Sequence, residues 1–151
     1  MISGRVLLDG AHRYTDSAPE ITKEARGKWL VRYNGYCVYI EQFIGKISGH
    51  GNYDVTIHDE QFDSWEHCII TRHTVSRYRQ RQKEVKGGKF NCFVDILKTM
   101  LSREVRFSNA TNRVYYEENN NDICKVFAYD LLEDGTIIYK TFFPKPKTLC
   151  K

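Results

Sequence analysis

The dipeptide Asn34-Gly35 constrains the fold of this chain more than any other feature. It separates two runs of β-branched and aromatic residues, at positions 29–33 and 36–44. Both central residues of a type I′ turn need a positive φ angle, which Asn and Gly adopt at little cost, so Asn-Gly between such runs is a strong hairpin signal. We therefore predict a β-hairpin in the first third of the chain.

Further strands are indicated on both sides of two central helices. Residues 5–8 and 53–58 have the composition of short strands, and the polar segment 16–27 is typical of a loop with some helix. Residues 68–82 join a short apolar strand to a basic helical segment. Apolar residues then recur at the spacing of an amphipathic helix, at Phe90, Phe93, Val94, Leu97, Met100 and Leu101.

The last third of the chain alternates apolar segments with turn residues. It predicts strands at positions 105–107, 114–117, 123–130 and 136–143. The sequence therefore predicts an α+β protein with an N-terminal β-hairpin region, two central helices and a C-terminal antiparallel β-meander.

The positive charge of the chain is concentrated in one window. Between Arg72 and Lys89 seven Lys or Arg residues stand against Glu84 alone, whereas the rest of the chain has 16 basic and 18 acidic residues. A basic patch on a nearly neutral body is typical of proteins that bind RNA or another polyanion, and a solvated helix face is the alternative. The residues expected to bind nucleic acid are Arg72, Arg79, Lys83, Lys86 and Lys89.

Three residues of this window follow a helical spacing. His73, Arg77 and Arg81 stand at i, i+4 and i+8, which places them on one face of an α-helix. Guanidinium groups match phosphate oxygens, and imidazole changes its charge near neutral pH. The trio therefore predicts a site that holds a phosphate and moves a proton beside it, although a histidine at a helix start is also commonly a capping or surface residue.

The five cysteines, at positions 37, 68, 92, 124 and 150, favour free thiols. They are odd in number and show no CxxC spacing, so neither a disulfide framework nor a zinc site is indicated. We expect a protein of the reducing cytoplasm, which for a phage-encoded chain is the host cytoplasm. No apolar run approaches the ~20 residues of a membrane span, so no membrane partner is expected.

Residues 69–144 resemble a known enzyme superfamily. The order is an apolar strand end, His73-x-x-x-Arg77-x-x-x-Arg81 opening a helix, a second amphipathic helix, and a meander that ends in the run from Asp134 to Pro144. This order is similar to the barnase, EndoU, colicin and RelE superfamily of metal-independent ribonucleases, and most similar to its phage-type and bacterial-toxin members. The length of 151 residues predicts one domain. The resemblance implies a ribonuclease-like core in residues 69–144, and residues 1–68, which it does not cover, are interpreted as a β-rich annex.

Members of that superfamily cleave RNA by attack of a 2′-hydroxyl on the adjacent phosphate. The resemblance implies that His73 is the general base or acid, that Arg77 and Arg81 hold the phosphate, and that Thr141 or Tyr139 contacts the phosphorane. No metal or other cofactor is implied. Many members use a second histidine, for which the candidates in this chain are His50, His58 and His67.

Two functions therefore stay open from the sequence. One is a metal-independent endoribonuclease of toxin or phage type. The other is a non-catalytic protein, such as a phage inhibitor, that engages a host nucleic-acid enzyme or defence protein through the basic segment. Aromatic residues of the hairpin and its surroundings could also stack bases on a sheet face, although such residues more often belong to the core: Tyr33, Tyr36, Tyr39 and Phe43.

Overall fold

The computed structural model describes residues 18–44, 51–82, 88–102, 104–108, 112–117 and 123–146. These residues form nine strands and two helices: β1 (Glu20–Ala25), β2 (Lys28–Tyr33), β3 (Tyr36–Ile44), β4 (Gly51–Asp59), β5 (Ser64–Ile70), α1 (Arg72–Arg81), α2 (Lys89–Ser102), β6 (Glu104–Ser108), β7 (Arg113–Glu117), β8 (Ile123–Leu131) and β9 (Ile137–Pro146). All nine strands belong to one sheet, with the order β1-β2-β3-β4-β5-β9-β8-β7-β6. The predicted α+β class is confirmed.

The predicted hairpin consists of β2 and β3. Its turn residues Asn34 and Gly35 have φ angles of 54° and 81°, as a type I′ turn requires. Tyr33 and Tyr36 are paired directly across the turn. The hairpin prediction is confirmed, because the left-handed conformations that the turn needs are the ones that these two residues tolerate.

One parallel strand pair joins two antiparallel meanders. Strands β1 to β5 form the first meander and β6 to β9 the second, and β5 pairs with β9 in parallel through Cys68 and Ile137. After β5 the chain passes through both helices and returns at the far edge of the sheet. The predicted boundary between residues 68 and 69 falls inside β5, and the sheet is continuous on both sides of it.

The segment 16–27 contains a strand that the sequence did not predict. Residues Glu20–Ala25 form β1, which pairs with β2 in antiparallel register. Every residue of β1 is exposed, so the strand has no buried apolar face to reveal it, and its pairing with β2 defines it. The prediction of loop and helix was wrong here, and the strand predicted at residues 5–8 lies outside the described residues.

Both helices pack on the same face of the sheet. On α2, Phe93, Leu97 and Met100 are buried, and the ring of Phe93 stacks on Tyr53 of β4 at a centroid distance of 4.0 Å. The core between helices and sheet therefore contains the apolar stripe that the sequence predicted for α2, except for Val94, which is half-buried. Side chains alternate between the faces of a strand, so the neighbours of these buried strand residues lie on the opposite face. We call it the open face because neither described helix covers it, although Cys124 and Val126 form a small buried cluster there.

The described cysteines are all buried and form no disulfide: Cys37, Cys68, Cys92 and Cys124. Burial raises the pKa of the Cys68 thiol far above its ordinary range, so this thiol stays protonated. Cys150 lies outside the described residues. Neither described helix is both long and apolar enough to cross a membrane.

Candidate nucleic-acid interface on helix α1

The start of α1 is tied to the sheet. Thr71 is the N-cap, and its hydroxyl accepts a hydrogen bond from the backbone N–H of Thr74 at 3.2 Å. The hydroxyls of Thr71 and Thr74 both donate to the carbonyl oxygen of Tyr139 in β9, at 3.0 and 2.8 Å. The N–H of Arg72 donates to the side chain of Asn52 in β4 at 3.1 Å. These bonds give α1 a defined position on β9 and β4.

The inner face of α1 is formed by Thr74, Val75 and Tyr78, which are buried. The outer face carries His73, which is exposed, and Arg77, which is half-buried. The Nε–H of Arg77 donates to Nε2 of His73 at 3.4 Å, a long hydrogen bond. The predicted i, i+4 juxtaposition of imidazole and guanidinium is therefore present.

Arg81 has a different environment. Its Nη1 donates to the carbonyl oxygen of Phe142 in β9 at 2.8 Å. Arg81 and Arg79 also lie in the last turn of α1, where positive charge favours the helix dipole. Because a guanidinium has five N–H donors, this one carbonyl bond still leaves donors for a phosphate.

The remaining basic residues are placed unequally. Arg72 and Arg79 are exposed on α1. Lys83 and Lys86 lie outside the described residues, as does the side chain of Lys89, the first residue of α2. Within α1 itself there are four arginines and no acidic residue.

The other implied catalytic residues are not brought to His73. Phe142 contacts Tyr78 of α1 at a centroid distance of 4.6 Å, so its neighbour Thr141 lies on the open face of the sheet. Tyr139 faces the helices, but it is completely buried and its ring contacts Phe127 in the core. The sequence could not predict this arrangement, because a bulge in the pairing of β8 and β9 sets the facing of these residues.

Two of the candidate second histidines also lie on the open face. His67 is hydrogen-bonded through Nε2 to the carboxylate of Asp54 and through Nδ1 to the hydroxyl of Thr136, the latter at 3.0 Å. His58 contacts the carboxylate of Asp63 at 2.8 Å. The sheet separates both imidazoles from His73, and His50 lies outside the described residues.

The open face also carries an aromatic group that the sequence did not single out. The ring of Trp65 stacks on His58 at a centroid distance of 4.0 Å and lies 6.2 Å from that of Tyr39, which projects from β3. Of the hairpin aromatics, Tyr39 is exposed, Tyr33 and Tyr36 are buried, and the side chain of Phe43 lies outside the described residues. Strand alternation could have predicted this: Cys68 and Ile70 of β5 face the core, so Trp65, at an odd-numbered position of the same strand, faces the other way.

A buried polar cluster beneath α1 was also missed. The ammonium of Lys125 donates to the hydroxyl of Tyr78 at 2.7 Å and to that of Thr99 at 3.3 Å, and it lies 3.6 Å from the carboxylate of Asp95. The Tyr78 hydroxyl in turn donates to Asp95. The sequence signal for such a cluster is the position of Lys125. It stands two residues before Phe127, so strand alternation places it on the core side. Its groups bond to one another, which indicates a structural role.

Comparison with protein-family models, with curated proteins and with solved structures gave no match. The resemblance to metal-independent ribonucleases therefore stays a prediction from residues 69–144.

Proposed function

We propose that the protein binds RNA through the outer surface of α1, defined by Arg72, His73, Arg77, Arg79 and Arg81. The observation that carries this proposal is the presence of four guanidinium groups without a carboxylate in one helix of ten residues. Hydrogen bonds to β4 and β9 hold the start of that helix, so the charges are presented from a rigid support. Neutralisation of phosphates by such a surface supplies most of the affinity in sequence-independent binding.

Binding is supported better than catalysis by the positions of the remaining residues. Thr141 and His67 are on the opposite face of the sheet from His73, and the side chain of Tyr139 is sealed in the core. Cleavage of RNA needs one group that accepts the 2′-hydroxyl proton and one that protonates the leaving 5′-oxygen. Among the candidates for these two roles that the structure describes, only His73 lies on α1, beside Arg77.

A metal-independent endoribonuclease is the second candidate, because the Nε–H of Arg77 lies 3.4 Å from Nε2 of His73. In that reaction His73 would accept the 2′-hydroxyl proton and the 2′-oxygen would attack phosphorus. The bond from phosphorus to the 5′-oxygen would break, the 5′-oxygen would take a proton from water, and a cyclic phosphate would remain on the other fragment. Arg77 would stabilise the negative charge of the phosphorane. In the free protein the Nε–H of Arg77 donates to Nε2 of His73, the atom that would accept the proton. The guanidinium would therefore have to move from His73 to the phosphate before the reaction.

The binding proposal is tested by fluorescence anisotropy of a labelled unstructured RNA at several NaCl concentrations. For each phosphate contact removed, the slope of log K against log salt should fall by about 0.7 in single-stranded RNA. We expect Arg77→Ala to weaken binding and to reduce this slope, whereas the matched control Arg26→Ala, at the exposed turn after β1, leaves both unchanged. Equal behaviour of the two variants would contradict the proposal.

Catalysis is tested with the same RNA in EDTA. Cleavage that produces cyclic phosphate ends and disappears in His73→Ala, with an unchanged circular dichroism spectrum, would establish the endoribonuclease. Arg77-dependent binding without cleavage would establish an RNA-binding protein. If the wild type does not bind RNA, both candidate functions are wrong. The basic segment would then be interpreted as a contact for a host protein.

A further inference from the structure

A second surface lies on the open face of the sheet, opposite α1. Rings from three neighbouring strands lie side by side there: Tyr39 in β3, His58 in β4 and Trp65 in β5. Trp65 is 56% exposed and Tyr39 is 43% exposed, and Phe62 in the turn between β4 and β5 is 69% exposed. Clusters of exposed large aromatic residues on an otherwise polar face are typical of interaction surfaces.

The groups around these rings are predominantly acidic. Asp63 contacts His58, and Asp54, which lies in β4 like His58, contacts His67 in β5. Nearby, the cations Lys28 and Arg32 of β2 are each paired with a carboxylate, Lys28 with Glu41 at 3.3 Å and Arg32 with Glu60 at 3.7 Å. The aromatic surface therefore has a negative local charge, although the whole chain carries +4.

A hollow of about 280 Å³ adjoins the ring of Tyr39. Its eight lining residues include three carboxylates and one cation, together with two apolar residues: Glu24, Glu41, Asp54, Lys28, Trp29 and Ile40. Its volume is just below the usual range of small-molecule sites, about 300–1,000 Å³, so it has room for one side chain of a macromolecular partner. Because carboxylates outnumber the cation in the lining, a cationic side chain is the favoured occupant.

We propose that this surface, formed by Tyr39, Asp54, His58, Asp63 and Trp65, binds an arginine-rich segment of a protein partner. A guanidinium is planar and weakly hydrated, so it stacks on aromatic faces while it pairs with carboxylates. Lysine lacks the planar fork, and the phosphates of a nucleic acid would be repelled by Asp54 and Asp63. The proposal concerns a different face from the α1 surface and does not depend on RNA binding.

The test follows the fluorescence of Trp65, which reports on peptide binding at this surface. The chain has two tryptophans, and Trp29→Phe leaves Trp65 as the single one. The probe is a short peptide of alternating arginine and glycine, and its control has glutamate in place of arginine. We expect the arginine peptide to change the fluorescence of Trp65 and the glutamate peptide to leave it unchanged, because a net positive protein attracts a cationic peptide only through a local acidic surface.

Affinity is then measured by anisotropy of the labelled arginine peptide. Loss of one cation–π partner corresponds to about a threefold to tenfold weaker Kd, which we expect for Trp65→Ala. Asp63→Asn should weaken binding about twofold, and added NaCl should weaken it further. The matched control Ile123→Ala removes a comparably exposed apolar side chain from β8 and should leave the Kd unchanged.

Three results would overturn this proposal. The first is equal binding of the arginine and glutamate peptides, and the second is the same Kd for Trp65→Ala and Ile123→Ala. The third is concentration-dependent self-association in analytical ultracentrifugation that Trp65→Ala abolishes, because the surface would then be covered by a second copy of this chain. An unchanged urea midpoint for Trp65→Ala shows that the variant is folded, so a loss of binding can be attributed to the surface.

Discussion

The two faces of the sheet treat polar side chains in opposite ways. On the helix-covered face, Lys125 is buried and donates to the hydroxyls of Tyr78 and Thr99. On the open face, the imidazoles of His58 and His67 pair with carboxylates that remain in contact with solvent. Titratable groups therefore serve packing on one face and are available to partners on the other.

The same contrast applies to aromatic residues. Phe142 is completely buried and packs on Tyr78 and Phe127, whereas Trp65 leaves more than half of its surface exposed. Rings on the covered face hold the helices, whereas Trp65 and Tyr39 leave large parts of their rings in solvent. Substitutions that compare the two faces can separate stability from binding.

The largest difference is expected between two aromatic truncations. Phe142→Ala should lower the free energy of unfolding by about 4 kcal/mol, because it removes a buried ring and leaves a cavity. Trp65→Ala should lower it by less than about 1 kcal/mol, because most of its ring is already in water. Urea unfolding followed by circular dichroism measures both values. Similar losses for the two variants would show that the open face is covered in solution.

The second comparison uses two lysines. Lys125→Ala should cost about 3 kcal/mol, since it removes the cation beside Asp95, a hydrogen-bond donor to the Tyr78 hydroxyl and a buried side-chain volume. Lys125→Met refills the volume and should recover that part of the cost. Lys140, which pairs with Asp130 at 3.1 Å on the open face, is the matched control. Lys140→Ala should cost less than about 1 kcal/mol. Equal urea midpoints for Lys125→Ala and Lys140→Ala would contradict the structural role of the buried cluster.

A smaller effect is expected at the start of α1. Thr71→Val keeps the shape of the side chain but removes the N-cap acceptor and the donor to Tyr139, so it should cost about 1–2 kcal/mol. Thr71→Ser retains the hydroxyl and should cost less than half of that. Thermal unfolding of the two variants measures the difference, and a Thr71→Val protein as stable as Thr71→Ser would show that the cap does not hold the helix.

The smallest effect concerns the turn before β9. The backbone N–H of Thr136 donates a hydrogen bond to the Asp134 carboxylate, and the Thr136 side chain adds a second one. These bonds, the first above all, hold the pKa of the Asp134 carboxyl below its ordinary value of 3.8. A carboxyl whose pKa is lower in the folded chain stabilises the fold above its unfolded pKa, and this contribution is lost as the pH falls through the folded pKa. Asp134→Ala should therefore differ slightly from the wild type at neutral pH and converge with it in acid. Urea midpoints at a series of pH values test this, and a constant difference would contradict it.

The parts of the fold that the sequence predicted are those set by neighbouring residues. The turn at Asn34-Gly35, the stripe of α2 and the His73–Arg77 pair each depend on spacings of a few positions. Strand β1 was missed because its side chains are all exposed, and only pairing with β2 defines it. The parallel pairing of β5 with β9 was missed because it joins segments far apart in the chain.

The candidate sites follow the same rule. Helical spacing placed Arg77 beside His73, but the position of Thr141 depends on a bulge in β9 that periodicity does not show. The stack of Trp65 with Tyr39 and His58 needs the register of three strands at once. Properties of one helix could therefore be predicted from the sequence, and properties of the assembled sheet could not.

The parallel joint between β5 and β9 has a consequence for how the protein is made. During synthesis, the first meander emerges with the backbone N–H and C=O groups of β5 unpaired along one edge, and the strand that covers them follows only after both helices and three further strands. Such an edge is a template for pairing with other chains. We therefore expect nascent chains stalled before β9 to aggregate. Once β9 has left the ribosome and paired with β5, this edge is no longer available to other copies of the chain.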